Sequence, residues 1–134
     1  MKNGVNMNRL RFFSFICLVF GIVLFFWWPL SHWLYPDFYH QLLGFLPGSY
    51  QDSMVKVIGT CGLLPVFCLI VLSISNKNNW PLVVATSVFS FFLGLTFLYL
   101  IVTGKFPKGE YFNVILSFFM FLFMPILYYW SRKI

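Results

Sequence analysis

Four long runs of apolar residues follow one another along the chain, with shorter polar or mixed stretches between them. They cover residues 12–30, 54–75, 80–103 and 111–130, and each is close to the roughly 20 residues that a helix needs to cross a bilayer. Backbone groups in lipid have no water to bond, and four spans are too few for a closed barrel. The pattern therefore predicts an all-α integral membrane protein with four transmembrane helices, formed from one domain over residues 1–134.

The connections predict how these helices are arranged. Residues 76–79 and 104–110 are long enough only to reverse the chain, so consecutive helices are predicted to be antiparallel and to form a bundle. Residues 31–53 form a longer link that is rich in aromatic side chains. Because such a segment suits neither a tight turn nor a solvated loop, we expect it to lie on the membrane surface.

A short helix is predicted within this link. Pro36 suits the first helical position, Asp37 suits the positively polarised first turn, and Gly44 suits the residue that ends a helix. These signals predict an amphipathic interfacial helix from Pro36 to Leu43, between the first and second spans.

The composition agrees with a membrane protein and leaves no room for a separate soluble domain. Of the 134 residues, 60% are hydrophobic and 9% are charged, and the mean hydropathy is +0.85. Such values lie outside the range of typical soluble domains. The net charge of +6 comes from nine basic residues scattered between the apolar runs, so no nucleic-acid-binding face is predicted.

Basic residues predict the orientation. Six of them lie at the two termini and in the 76–79 turn, whereas three lie on the other side together with every acidic residue. The positive-inside rule then places both termini in the cytoplasm, and we expect a bacterial inner membrane. No small-residue cleavage site follows the first apolar run, so it is expected to stay as an anchor, with Met1 or Met7 as the start.

Small residues recur at helical spacing in the first three spans and predict close helix packing in lipid. An alternative use of one such stripe is a surface for another membrane protein or for a second copy of the chain. The stripes consist of Ser14, Cys17 and Gly21, then Gly59 and Gly62, then Ser87, Ser90 and Gly94.

Four further residues within the spans are candidates for lipid or ligand contact. Pro65 and Pro125 remove backbone hydrogen bonds inside helices and are predicted to kink them. Lys56 lies near one end of the second span, where its side chain is expected to reach the headgroups or an anionic ligand. Asn113 lies near the start of the fourth span and has the same two interpretations.

Titratable side chains are concentrated in the 31–53 link. His32, Asp37 and His40 would supply two imidazoles and a carboxylate, a set able to bind zinc or another divalent ion. Their spacing matches no established ligand motif, so the expectation is instead that the histidines bond to water, headgroups or backbone. No metal or other cofactor is predicted.

The absence of chemical motifs directs the functional hypotheses. No Asp or Glu falls inside a predicted span, the cysteines form no C-x-x-C pair, and no histidine is placed to bind haem within the bundle. The leading hypothesis is a non-catalytic accessory or interaction subunit, or a homo-oligomer. The alternative is binding or transport of a small hydrophobic molecule, such as a lipid, quinone or isoprenoid, between the helices; a third is an enzyme using His32, Asp37 and His40.

Overall fold

The computed structural model describes Gly4, residues 6–75 and residues 77–133, and every regular element in that part of the chain is helical. Four stretches are long and apolar enough to cross a membrane: Met7–Leu34, Asp52–Ile74, Trp80–Val102 and Lys108–Arg132. The prediction of four such helices is therefore confirmed, with bounds that differ by a few residues. The possible start at Met1, the basic residue Lys2 and Asn76 of the second turn lie outside the described residues.

In the described part of the chain, these stretches and the link contain seven α-helices: α1 (Met7–Phe25), α2 (Ser31–Leu34), α3 (Pro36–Leu42), α4 (Asp52–Cys61), α5 (Leu63–Ile74), α6 (Trp80–Val102) and α7 (Tyr111–Arg132). A π-helical turn, Phe26–Leu30, joins α1 to α2, and a 3₁₀ turn, Lys108–Glu110, leads into α7.

The first span continues one turn beyond its predicted end at Leu30. Pro29 lies in the π-helical turn, and a proline lacks an N–H and would collide with the carbonyl group of the preceding turn of a regular α-helix. A wider turn accommodates the ring, so the chain remains helical as far as Leu34.

The second span is broken at Gly62, between α4 and α5. Pro65 lies in the first turn of α5, where its missing N–H is tolerated. Gly62 packs against the indole of Trp28, where an added Cβ would lie 2.7 Å from ring atoms. In contrast, α7 passes through Pro125 without a break.

Two pairs of helices pack closely, α1 with α5 and α6 with α7, whereas α5 and α6 are less closely packed. At one end of the molecule, here called the terminal end, Tyr128 bonds to Asn78 and Asn79 in the turn between α5 and α6. At the other, the link end, the Phe45 ring contacts the Phe106 ring at 5.2 Å between centroids. A buried cluster fills the terminal half: Phe13, Cys17, Leu69, Leu72, Val83, Met124, Leu127 and Tyr128.

The small residues predicted to mediate packing lie against other parts of the same chain. Cys17, Ser87 and Ser90 are buried, and Ser14 is half-buried. The glycines each face a neighbouring element: Gly21 faces Leu69 and Ile70, Gly59 faces His32 and Trp33, Gly62 faces Trp28, and Gly94 faces the ring of Phe118.

The outer surface of the helices is apolar. Large hydrophobic side chains there are 60–69% exposed, on all four spans: Phe15, Phe26, Leu64, Phe92, Ile115 and Ile126. An apolar surface of this extent is typical of contact with lipid and not of contact with water.

The link folds back on the helices. The predicted short helix is present as α3, and Gly44 ends it with a φ of 94°, while the Phe45 N–H donates to the His40 carbonyl at 2.9 Å. At Gly109 the backbone of the 3₁₀ turn meets the end of α3. An added Cβ would lie within 2.6 Å of the Leu43 carbonyl carbon and closer still to its oxygen. Only glycine permits this approach.

Replacing Gly109 with alanine is expected to destabilise the protein, because the overlap is with backbone that cannot turn aside. We expect the free energy of unfolding to fall by roughly 1–3 kcal/mol, measured as a lower denaturation midpoint in mild detergent. Gly21→Ala is the matched control, since its Cβ would meet only ordinary contacts at 3.5 Å and alanine favours a helix. Equal midpoints for the two variants would contradict the close approach.

Candidate functional site: a cavity with a polar mouth

A cavity of about 560 Å³ lies between the α1–α5 pair and the α6–α7 pair. Its volume is within the usual range of small-molecule sites. It runs from the link end toward the middle of the helices, and the buried cluster of the terminal half lies beyond it.

The deep part of the cavity is apolar. Its walls there are formed mainly by Leu24, Pro65, Leu69, Leu93, Leu116 and Met120. Three hydroxyl groups also line it. Two of them donate to their own helix, Thr86 Oγ1 to the Leu82 carbonyl at 2.8 Å and Ser90 Oγ to the Thr86 carbonyl at 2.9 Å, and the third is the hydroxyl of Ser117 on α7. The deep part therefore suits a hydrocarbon chain.

The mouth, at the link end, is organised by the side-chain amide of Asn113. Its oxygen accepts a hydrogen bond from Trp27 Nε1 at 2.9 Å, and its nitrogen donates to Tyr39 Oη at 3.1 Å and to Glu110 Oε2 at 2.6 Å. Asn113, Tyr39 and Glu110 are all buried, and Glu110 is only 3% exposed. One amide thus connects the end of the first span, the link and the start of α7.

Local sequence explains how these groups meet. Glu110 ends the 3₁₀ turn and Asn113 lies three residues later, so both side chains lie on the same side of the helix start. Tyr39 is on the buried face of α3, which the close approach at Gly109 holds against this turn. Burial and the neighbouring Glu110 carboxyl raise the pKa of Tyr39, so its hydroxyl keeps its proton at neutral pH.

Two buried histidines lie beside this network, with ring centroids 5.4 Å apart. His32 Nδ1 is 2.7 Å from the Trp28 carbonyl oxygen, and His40 Nδ1 is 2.6 Å from the Pro36 carbonyl oxygen. A carbonyl oxygen only accepts, so Nδ1 of each ring carries the hydrogen. In the neutral ring Nε2 is then a hydrogen-bond acceptor.

Asp37 is not part of a cluster with the two imidazoles. It is exposed and accepts a hydrogen bond from Tyr50 Oη, while the Tyr50 ring stacks on His40 at 4.0 Å. Among the described residues, no group of three His, Cys, Asp or Glu side chains is arranged to hold a metal ion. The structure thus does not assemble the set of His32, Asp37 and His40 considered from sequence.

No family model, curated protein or solved structure matches this chain.

The other predicted contact residues divide into two groups. Pro65 and Asn113 line the cavity, whereas Lys56 and Pro125 do not. Lys56 Nζ forms an exposed ion pair with Asp52 at 3.0 Å, one helical turn away. Of the two prolines predicted to kink their helices, Pro65 lines the cavity and Pro125 does not.

Glu110 is the main residue that sequence reasoning missed. The sequence pattern assigns it to the 104–110 connection, outside the predicted spans. The structure instead buries it at the start of the fourth apolar stretch, among Asn113, Tyr39 and Gly109. The three-residue spacing of Glu110 and Asn113 was the available signal, but only the folded link supplies their partners.

Replacing Asn113 with leucine is expected to destabilise the protein markedly, because Trp27, Tyr39 and Glu110 each lose their hydrogen bond to the Asn113 amide. We expect a loss of about 2–4 kcal/mol in the free energy of unfolding, measured in mild detergent. Ser117→Ala, one turn further along the same cavity wall, is the control and should change it by less than about 0.5 kcal/mol. If Asn113→Leu leaves the free energy of unfolding unchanged, the hydrogen-bond network does not hold the link.

Tyr50 is expected to ionise later than an ordinary tyrosine. Desolvation, followed by the hydrogen bond to Asp37 and its charge, raises the pKa of Tyr50 from 10 to about 12. The protonated form is the one stabilised, so this contribution is complete below pH 10 and is lost as pH rises through 12. The difference between the ultraviolet pH titrations of the wild type and Tyr50→Phe measures the pKa of Tyr50. When the same pair is compared in an Asp37→Ala background, this pKa should fall toward 10.

Proposed function

We propose that this chain is an integral membrane protein that binds one amphipathic molecule with a long apolar tail, such as a lipid, a quinone or an isoprenoid, in the cavity between its helix pairs. The observation that carries the proposal is the division of that cavity into a deep apolar part and a polar mouth. A tail would lie between the helices and a head would lie among His32, His40, Glu110 and Asn113.

The exterior supports a position in the bilayer. All four apolar stretches expose large hydrophobic side chains, and α3 exposes Phe38 and Leu42 at 69% and 60%. A short helix of this kind suits the headgroup boundary, with its apolar side chains toward the acyl chains. The proposed arrangement is an antiparallel bundle in a bacterial inner membrane with both termini in the cytoplasm, which places the mouth of the cavity at the outer surface.

The size of the cavity makes tail binding energetically substantial. Core cavities in proteins cost about 24 cal/mol per Å³. Filling 560 Å³ with a well-fitting apolar chain is then worth at most about 13 kcal/mol before the losses of motion on binding.

A role as a non-catalytic accessory or interaction subunit, or as a homo-oligomer, stays a prediction. The small residues expected to mark a partner surface argue for internal use instead, because Gly21, Gly59, Gly62 and Gly94 each lie against side chains of this same chain. Binding within the cavity is therefore the function that the geometry favours.

The test is to fill the cavity and measure what the protein retains. Ser90 lines it and is 9% exposed, whereas Val88 on the same helix is 46% exposed and faces outward. We expect Ser90→Phe to lose most of a tightly bound amphiphile that the wild type and Val88→Phe keep at about one per chain. The measurement is mass spectrometry of the extract after purification in mild detergent.

Folding is checked in both variants by circular dichroism and by the denaturation midpoint. If Ser90→Phe is folded and retains the same amphiphile in the same amount, the cavity is not the binding site. If wild-type protein carries only a mixture of bulk lipids, in the same amount as the folded Ser90→Phe variant, specific binding is excluded.

A further inference from the structure

The mouth of the cavity contains hydrogen-bond acceptors that no described residue of the chain uses. Among the described residues, none bonds to Nε2 of His32 or His40, because the only hydrogen bonds of these rings are through Nδ1. Both rings line the cavity. Glu110 likewise uses only Oε2, which accepts from Asn113.

Most donors at the mouth already have acceptors within the chain. Both amide hydrogens of Asn113 are donated, Trp27 Nε1 donates to Asn113, and Trp28 Nε1 donates to the Ile58 carbonyl at 3.0 Å. Tyr50 donates to Asp37. Among the described residues, the remaining side-chain donors that line the cavity are the hydroxyl hydrogens of Tyr39 and Ser117 and the exposed rim residues Ser49, Gln51 and Lys105.

We infer that the head of the bound molecule is a hydroxyl group, aliphatic or phenolic, that donates to Nε2 of His32 or His40. This inference rests on the proposed function, since it specifies the head of the same ligand. The two imidazoles cannot turn their hydrogens toward the cavity without breaking the Nδ1 bonds to Trp28 and Pro36. In the neutral form of each ring, the hydrogen bond at Nδ1 fixes the tautomer and leaves Nε2 as an acceptor for the ligand.

A phosphate head suits this mouth less well. The oxygens of a fully ionised phosphate only accept, so they would face the Nε2 lone pairs with no hydrogen between them. The carboxyl of Glu110 is buried at the mouth, and in its ionised form it repels an anion. Lys105, the one lysine or arginine that lines the cavity among the described residues, is exposed at the rim and lies over the Tyr99 ring at 5.9 Å.

The experiment compares three molecules that share one apolar tail and differ in their head group. Detergent-purified protein, delipidated and checked for folding, is mixed with farnesol, farnesyl methyl ether or farnesyl phosphate, and the bound fraction is read by native mass spectrometry. We expect farnesol to bind about tenfold more tightly than the ether, the effect of one hydrogen bond to a desolvated acceptor. The phosphate should bind no better than the ether.

A fourth probe, nonylhydroquinone, separates the two sources of hydroxyl. Tighter binding of the hydroquinone than of nonylbenzoquinone, which has no O–H donor, supports a phenolic head. A preference confined to farnesol over its ether supports a lipid alcohol.

Variants at His40 separate a specific acceptor from a general effect of structure. In His40→Asn the side-chain nitrogen can still donate to the Pro36 carbonyl but nothing occupies the Nε2 position, so the preference for farnesol over its ether should fall toward one. In His40→Gln the amide oxygen can reach the Nε2 position, so part of the preference should return. A merely structural role for His40 would lower binding of alcohol and ether together.

The outcomes distinguish the two proposals. If no probe binds the folded wild type, the proposed function fails and this inference with it. If farnesol and the ether bind equally well, or if the phosphate binds more tightly than the alcohol, the cavity still takes an apolar tail and only the inference about the head is overturned.

Discussion

The side-chain amide of Asn113 is the constraint on which the link end of this protein depends. In lipid or in a dry interior, a polar group without a partner costs more than it does in water, so a buried amide dictates what surrounds it. Here Trp27, Tyr39 and Glu110 satisfy it together. These partners come from three separate parts of the chain, so one side chain fixes how the link closes over the helices.

The link packs against the helices at one end of the molecule and leaves a cavity between the two helix pairs. The close approach at Gly109 holds α3 beside the start of α7, and the indole of Trp28 occupies the space left by Gly62. The two helix pairs consequently meet tightly at the terminal end and remain apart toward the link end. Because the polar groups gather at the mouth and the deep walls are apolar, the cavity has the same polarity gradient as one leaflet of a bilayer.

Sequence patterns predicted the helices far better than the site. Apolar runs of about 20 residues are local signals, and so were Pro36 and Gly44 at the ends of α3, which the structure confirms. The cavity depends on contacts between distant residues, such as Tyr39 with Asn113, that no local pattern contains. His32 and His40 were found because histidine is rare here, but Glu110 was missed because a charged residue beside glycine resembles a solvated turn.

The most direct test of the account is to locate the end of a bound tail. A long-chain lipid alcohol with a diazirine at its terminal carbon would be bound, irradiated, and its crosslinks mapped by mass spectrometry. The account predicts labelling at the deep wall, near Leu69, Thr86 and Met120, and its loss when Ser90→Phe fills the cavity. Crosslinks spread over outward-facing side chains such as Val88 and Ile115, unchanged in that variant, would contradict it.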